Sequence, residues 1–204
     1  MSNVLGIIAE YNPFHNGHAY QLMESKKTCD ADVVVCVMSG NFMQRGAPAI
    51  VDKWSRAQMA LEGGVDIVIE LPTIYSVASA EHFATGGIKI LNSLGVDYIS
   101  FGSECGNVDV LNEIAEVLYK EPKEYSVMLK HELSKGVSFP SAREKALLMY
   151  LNDIRRYANI LSSPNNILGI EYLKALKKSK SSINAISVNR TGALHNKIEF
   201  LFHM

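Results

Sequence analysis

Two histidines and a glycine fall within four consecutive residues near the amino terminus, in the segment EYNPFHNGHAY (residues 10–20). The apolar run VLGIIA precedes this segment directly, which indicates a strand that gives way to a helix. Gly17 at the helix start would let an anion approach the backbone N–H groups, where the helix dipole adds roughly half a positive charge. His15 and His18 could donate hydrogen bonds to phosphate oxygens whose charge grows during phosphoryl transfer. These residues therefore predict a phosphate site, and the segment supplies no nucleophile.

Two other interpretations of the histidine pair stay open. His15 and His18 could ligate a metal, although Glu10 is the only further ligand that the segment offers. They could also be surface-loop histidines with no chemical role. The strand–helix junction favours phosphate binding, because ligands of open parallel sheets bind beyond the carboxyl ends of the strands.

Apolar segments alternate with helical segments along the first half of the chain. Strands are predicted at residues 4–9, 31–38, 65–71 and 98–101, and helices at 17–27, 52–62 and about 79–94. Asp52 and Ser79 are the predicted N-caps of two of these helices, and the glycine pair 63–64 is a predicted stop. Continuous apolar strands between helices are typical of a parallel sheet covered on both faces. The predicted fold class is therefore α/β.

Helical patterns dominate after residue 107. Helices are predicted at residues 108–118, 125–134, 142–151 and 165–178, followed by a strand at 183–188. Ser163 before Pro164 is typical of a helix start. We therefore expect an α/β domain formed by residues 1–107 and 160–195 and a helical insertion at 108–159. Residues 196–204 are expected to begin a missing or truncated carboxyl-terminal portion.

Composition narrows the class of protein. The 204 residues are 48% hydrophobic and 20% charged with a formal net charge of −1, which gives no global argument for nucleic acid, a membrane surface or an acidic ligand. Three cysteines without CxxC spacing argue against a disulfide framework or a cysteine zinc site. No apolar stretch reaches the roughly 20 residues of a membrane helix, and the first residues lack a signal-peptide pattern. A cytoplasmic protein that does not contact membranes is expected.

The His15-Asn16-Gly17-His18 tetrapeptide resembles the HxGH signature of the nucleotidyltransferase superfamily. The wider string GIIAEYNPFHNGHAYQL resembles the tRNA(Met) cytidine acetate ligase family. Further similar stretches are MSGNFMQRGAPAIVDKWSRAQMAL, GVDIVIELP, ATGGI, SFGSE and SPNNILGIEYLKAL, so the resemblance covers residues 3–195. It implies a Rossmann-like parallel sheet of the HxGH nucleotidyltransferase type with a helical insertion.

The resemblance also implies an ATP-dependent ligase. Acetate would attack the α-phosphate of ATP, giving acetyl-adenylate and pyrophosphate. The acetyl group would then pass to N4 of the wobble cytidine in elongator tRNA(Met). Magnesium is expected with ATP because it neutralises the phosphates. Members of the family are longer, and their carboxyl-terminal portion is expected to help bind the tRNA.

A set of ATP-binding residues follows from the same resemblance, with His15 and His18 as the catalytic candidates and no metal ligand among them. The set comprises Ile7, Ile8, Ala9, Glu10, Tyr11, Asn12, Pro13, Phe14, His15, Asn16, Gly17, His18, Ala19, Tyr20, Gly102, Asn165 and Arg190. Gly102 would let an adenosine lie against the backbone, and the fork of Arg190 would neutralise phosphate charge. Taken singly, Gly102 could instead be a turn glycine, Asn165 part of a helix cap and Arg190 a surface charge.

Several charged or polar residues are weaker candidates. The loop at residues 39–51, with Gln44 and Arg45, could form an acetate or nucleotide lid next to Lys53, or be an ordered surface loop. Glu70 lies in an apolar strand and Glu104 follows one, and neither has a role that the sequence supports. A local basic surplus could contact tRNA phosphates or end a helix; it comprises Lys174, Lys177, Lys178, Lys180, Arg190 and Lys197 against Glu171 and Glu199.

Two alternative functions remain at this point. The chain could be a nucleotidyltransferase that moves AMP or CMP onto a phosphorylated small molecule, or a nucleotide- or RNA-binding module without turnover. Acetate discriminates among them, because only the ligase requires a carboxylate for pyrophosphate chemistry.

Overall fold

A five-stranded parallel sheet forms the centre of the computed structural model, which describes residues 3–190. The strands are β1 (Val4–Ala9), β2 (Val33–Ser39), β3 (Ile67–Leu71), β4 (Tyr98–Ser103) and β5 (Asn184–Asn189). Their order is β3-β2-β1-β4-β5, and all neighbours run parallel. The chain moves outwards from β1 in one direction and then, from β4, in the other. This switch between β1 and β4 is where an open α/β sheet binds its ligands, and the predicted fold class is confirmed.

Nine helices lie in the part of the chain that the structure describes. They are α1 (Asn16–Cys29), α2 (Lys53–Glu62), α3 (Thr73–Ser76), α4 (Ala80–Leu94), α5 (Val108–Lys120), α6 (Lys123–Ser134), α7 (Phe139–Leu151), α8 (Ile154–Tyr157) and α9 (Pro164–Ser179). The four-residue helices α3 and α8 are not predicted from the sequence, because such short segments show no helical periodicity.

Apolar clusters cover both faces of the sheet. Val35 and Val37 of β2 belong to one cluster, whereas Val34 and Cys36 of the same strand belong to the other. Successive strand residues point to opposite faces, so continuous apolar runs are what a sheet buried on both sides requires.

Helix caps explain where several helices begin. Asp52 accepts hydrogen bonds from the backbone N–H groups of Trp54 and Ser55, and Ser79 accepts one from His82, as predicted. α9 differs, because Ser163 precedes Pro164 but makes no side-chain cap bond to the helix.

A carboxylate directly after β4 accepts the backbone hydrogen bonds at the start of α9. Glu104 accepts hydrogen bonds from the backbone N–H of Asn166 at 3.0 Å and from that of Asn165 at 3.4 Å. In return the side-chain oxygen of Asn166 accepts from the N–H groups of Glu104 and Cys105 and from the hydroxyl of Ser103. A carboxylate suits this place, since it meets the positive end of the helix dipole. These reciprocal bonds fix α9 to the end of β4.

Helices α5 to α7 pack into the same body as the sheet. α5 packs against α9, and α6 packs against α7. Leu111, Ile114 and Leu147 belong to the apolar cluster that also contains residues of β2 and α4. The division into a sheet domain and an insertion at 108–159 stays a prediction, and the predicted portion at 196–204 lies outside the described residues. Within residues 3–190, no helix is long and apolar enough to cross a membrane.

Close packing at Gly6 gives a first test of the fold. A Cβ added at Gly6 in β1 would lie 2.7 Å from Cδ1 of Leu91 on α4, and Leu91 is fully buried. We expect Gly6→Ala to lower the free energy of unfolding by about 1–3 kcal/mol, because the core must shift to admit the methyl group. Urea denaturation measures this, with the exposed Lys89→Ala on α4 as control, expected within about 0.5 kcal/mol of the parent. Equal stability of Gly6→Ala and the parent would contradict the packing.

Candidate nucleotide-binding site

An open cleft of about 1200 Å³ lies at the carboxyl edge of the sheet, where β1 and β4 are neighbours. The residues predicted to bind ATP line this cleft, with the exceptions of Phe14 and Ala19. Phe14 instead packs against the rings of Tyr11 and His18, with centroids at 4.9 and 5.6 Å. The structure thus brings residues from β1, α1, β4, α9 and β5 to one place.

His15 and His18 are held by the backbone at the start of α1. His15 is the N-cap residue, and its Nδ1 accepts a hydrogen bond from the N–H of Gly17 at 3.1 Å. His18 Nδ1 accepts from the N–H of His15 at 3.3 Å. A nitrogen that accepts a hydrogen bond carries no proton, so a neutral ring in this arrangement bears its proton on Nε2. Both imidazoles can therefore donate through Nε2 to a ligand in the cleft.

The protonation state of His18 is set by its surroundings. Its ring stacks on that of His15 with centroids 3.7 Å apart and packs against Tyr11 at 4.7 Å. Burial, with the neighbouring His15 and Arg190 acting in the same direction, lowers the pKa of His18 to about 3. His18 is accordingly a neutral hydrogen-bond donor near pH 7.

The absent side chain of Gly17 makes room for His15. A Cβ at Gly17 would lie 3.0 Å from Cε1 and 3.1 Å from Nδ1 of the His15 ring. The sequence predicts a glycine here because a phosphate would approach the backbone at the helix start. The structure adds that the cap bond itself leaves little space for a methyl group.

Gly102, Asn165 and Arg190 also line the cleft. A Cβ at Gly102 would lie 3.4 Å from Cγ of Arg190, so the side chain of Arg190 passes over the end of β4. The backbone N–H of Arg190 donates to Ser103, which continues the pairing of β5 with β4. The side-chain amide of Asn165 donates to Glu104 at 2.6 Å, so its orientation is fixed by that carboxylate.

Arg56 of α2 is a buried residue of the site that the sequence analysis does not single out. It is 0% exposed, and its guanidinium donates to four backbone carbonyls. Nη1 donates to Glu10 at 2.6 Å and to Ser39 at 3.1 Å, Nε donates to Val51 at 3.0 Å, and Nη2 donates to Gly40. The ends of β1 and β2 are thereby tied together. A charged residue on the buried side of a helix, one turn before Ala60, is the sequence signal that could have revealed it.

Among residues 3–190, no carboxylate forms a direct ion pair with Arg56. Burial lowers the pKa of its guanidinium, while the carboxylates of Asp52, Glu10 and Glu70 act in the opposite direction. These acidic groups and the four carbonyls offset the cost of removing the cation from water.

The loop at residues 39–51 is joined to the histidine segment. Glu10 accepts a hydrogen bond from the backbone N–H of Gln44 at 2.6 Å, and Asn12 accepts one from that of Ile50 at 2.8 Å. Gln44 and Arg45 of this loop line the cleft. Hydrogen bonds to Glu10 and Asn12 therefore hold the loop in place, and the loop forms part of the cleft lining.

The remaining candidates have structural partners. Lys53 and Glu70 form an ion pair at 2.6 Å. In the basic stretch, Lys174 pairs with Glu171 at 2.8 Å, and Lys177 pairs with Glu116 at 2.6 Å. These pairs reduce the positive surplus that was considered for tRNA, and its members beyond residue 190 lie outside the described residues. Among residues 3–190, no group of three or more His, Cys, Asp or Glu side chains could hold a metal ion.

Known proteins resemble this chain along nearly its whole length. The model of the family described as HIGH Nucleotidyl Transferase matches residues 2–203. The chain belongs to the HIGH nucleotidyl transferase family. This HIGH nucleotidyl transferase is 58% identical over 194 residues to the tRNA(Met) cytidine acetate ligase of Acetivibrio thermocellus, covering 95% of this chain and 47% of that protein. The resemblance stated from the sequence is thereby confirmed.

Two solved structures agree with this fold. The crystal structure of Thermotoga maritima TmcAL bound with alpha-thio ATP is 42% identical, with a TM-score of 0.89 over 93% of this chain and 47% of that one. The apo form of the Thermotoga maritima protein is 41% identical, with a TM-score of 0.90 over 97% and 48% of the two chains. This HIGH nucleotidyl transferase therefore spans about half the length of the proteins it matches.

His18 should make stability depend on pH in a defined direction. Between pH 6.5 and about 3 the unfolded chain binds a proton at His18 that the folded chain excludes, so the free energy of unfolding falls as the pH falls. Replacing His18 by Gln removes this contribution. Between pH 7 and pH 5 we expect the parent to lose about 1–2 kcal/mol more than His18→Gln in urea denaturation. The same loss in both proteins would contradict the lowered pKa.

Loss of Arg56 should cost more than loss of an exposed arginine. We expect Arg56→Met to lower the free energy of unfolding by about 3–5 kcal/mol, because four carbonyls lose their donor. The free energy of unfolding of Arg56→Lys should lie between that of Arg56→Met and that of the parent, because one ammonium group cannot donate to all four carbonyls. The exposed Arg45→Met serves as control with a change within about 0.5 kcal/mol. Similar losses at positions 45 and 56 in urea denaturation would refute the role given to Arg56.

Proposed function

We propose that this chain uses ATP to activate acetate as acetyl-adenylate and that the protein passes the acetyl group to elongator tRNA(Met). The observation that carries the proposal is the pair of imidazoles at the start of α1, both with Nδ1 engaged by the backbone. Their Nε2 donors, with Arg190 in the same cleft, suit the triphosphate of ATP. A similar protein of known structure is bound with alpha-thio ATP, which supports ATP as the nucleotide.

In the first step an oxygen of acetate attacks the α-phosphorus of ATP. The bond from that phosphorus to the bridging oxygen breaks, and pyrophosphate leaves with the electron pair. His15 and His18 donate to phosphate oxygens that gain charge in the transition state, and neutral His18 does so without requiring protonation. Arg190 offsets the charge of the phosphates, and magnesium bound to ATP would neutralise them further.

In the second step the N4 amine of the wobble cytidine attacks the acetyl carbonyl. AMP leaves and the amine loses a proton. This step rests on the similar proteins named tRNA(Met) cytidine acetate ligase. The ATP-binding roles given above to the cleft residues are part of the same proposal, and the cytoplasm is the compartment in which the tRNA would be met.

Acetate-dependent exchange of labelled pyrophosphate into ATP tests the first step on the 204-residue chain. We expect exchange that requires acetate and that falls at least about a hundredfold in His15→Ala/His18→Ala, because the phosphate charge loses two donors. Lys89→Ala, exposed on α4, should exchange like the parent. Exchange that is indifferent to acetate would instead support transfer of a nucleotide to another acceptor. ATP binding without any exchange would support a binding module.

A further inference from the structure

Unpaired polar atoms inside the protein are few and unevenly distributed. In the described part of the chain, three buried side-chain polar atoms have no hydrogen-bond partner: Oγ of Ser39, Nε2 of Gln44 and the hydroxyl of Tyr172. Gln44 and Tyr172 line the cleft, whereas Ser39 does not. A buried donor without a partner costs about 1–3 kcal/mol, so two such donors beside one cleft call for a ligand that accepts hydrogen bonds.

Tyr172 is a donor in an otherwise apolar part of the cleft. It is 1% exposed, and its ring packs against Phe101 with centroids 5.7 Å apart. Phe83, Leu168 and Ile8 line the same cleft. Burial raises the pKa of Tyr172, and the charge of Glu10 acts in the same direction, so the hydroxyl keeps its proton.

Gln44 brings the second donor to the cleft. Its backbone N–H is bound to Glu10, which fixes the main chain, while its side-chain amide has no partner in the described residues. The carboxylate of Glu10 therefore lies beside the backbone of Gln44. The positive charge of Arg56 offsets the negative charge of Glu10. Arg56 donates a hydrogen bond to the backbone carbonyl of Glu10, and burial lowers the pKa of Arg56 while the Glu10 carboxylate acts to raise it.

We propose that Tyr172 and Gln44 form the subsite for the carboxylate substrate, whose oxygens accept from the hydroxyl and the amide while its alkyl group contacts the apolar wall. This inference rests on the proposed function, since it names the residues that would hold acetate there. Neutral donors suit the role, because a cation bound directly to the carboxylate would weaken it as a nucleophile. Both donor atoms are buried, so neighbouring side chains must shift when the carboxylate enters.

Tyr172→Phe tests the subsite with the smallest possible change. The concentration of acetate that gives half-maximal pyrophosphate exchange should rise at least about tenfold, because a hydrogen bond to a charged acceptor is lost. The half-maximal concentration of ATP should stay within about twofold. Gln44→Leu, which keeps the backbone bond to Glu10, should behave in the same way.

Ser39→Ala is the matched control, because it also removes a buried, unpaired hydroxyl but lies outside the cleft lining. Neither Ser39→Ala nor Tyr172→Phe should lower the Tm, and only Tyr172→Phe should change the response to acetate. An unchanged response to acetate in both cleft variants would overturn the subsite. A shift in the ATP requirement instead of the acetate requirement would also overturn it, since the donors would then serve the nucleotide.

A second measurement separates this inference from the proposed function. The Tm of the parent chain is compared in sodium acetate and in sodium chloride at equal ionic strength. We expect acetate to raise the Tm of the parent and of Ser39→Ala but not that of Tyr172→Phe. This result without any exchange would keep the carboxylate subsite and reject adenylate formation by this chain. No effect of acetate on the parent, with exchange intact and unchanged in the cleft variants, would reject the subsite alone.

Discussion

The buried guanidinium of Arg56 joins the carboxyl ends of β1 and β2, and the cleft is built on those ends. Backbone carbonyls beyond parallel strands have no ladder partner, and a dry interior offers them no water. Arg56 supplies the donors, so Glu10, Ser39 and Gly40 can leave the sheet in fixed directions. The histidine segment and the loop at 39–51 start from these points. A positive charge also stays below the edge of the sheet where phosphates would be bound.

The helix start of α1 performs a structural and a chemical task with the same atoms. His15 caps the helix through Nδ1, and His18 receives the N–H of His15 through its own Nδ1. These local bonds select the tautomer before any ligand arrives, so the donors facing the cleft need little reorganisation. Burial keeps His18 neutral, which removes a proton equilibrium from the site near pH 7. A histidine at position 18 that stayed solvated could become charged at low pH without cost to the folded state. Burial removes that possibility and instead fixes His18 as a neutral hydrogen-bond donor.

Local features of the fold could be predicted from the sequence, and long-range contacts could not. Continuous apolar runs predict the strands, and Asp52 and Ser79 mark helix starts through bonds to residues two or three positions away. The partner of the α9 start, Glu104, lies 61 residues from Asn165, and Arg56 lies 46 residues from Glu10. No pattern in the neighbourhood of either residue encodes such a partner. For the site, the motif predicts which residues meet, but their hydrogen-bond roles depend on the folded geometry.

Two of the three buried side-chain polar atoms without a partner among residues 3–190 belong to residues that line the cleft. In the part of the chain that the structure describes, deep side-chain polar groups outside the cleft other than Oγ of Ser39 are paired, as in the bond between the hydroxyls of Ser25 and Ser100 at 2.6 Å and the bonds around Asn166. Gln44 and Tyr172, by contrast, bring unpaired donors to the cleft wall. Folding alone would favour Phe at 172, because a buried hydroxyl without a partner only costs free energy. Its presence beside the cleft is therefore explained by a bound partner and not by the stability of the empty protein.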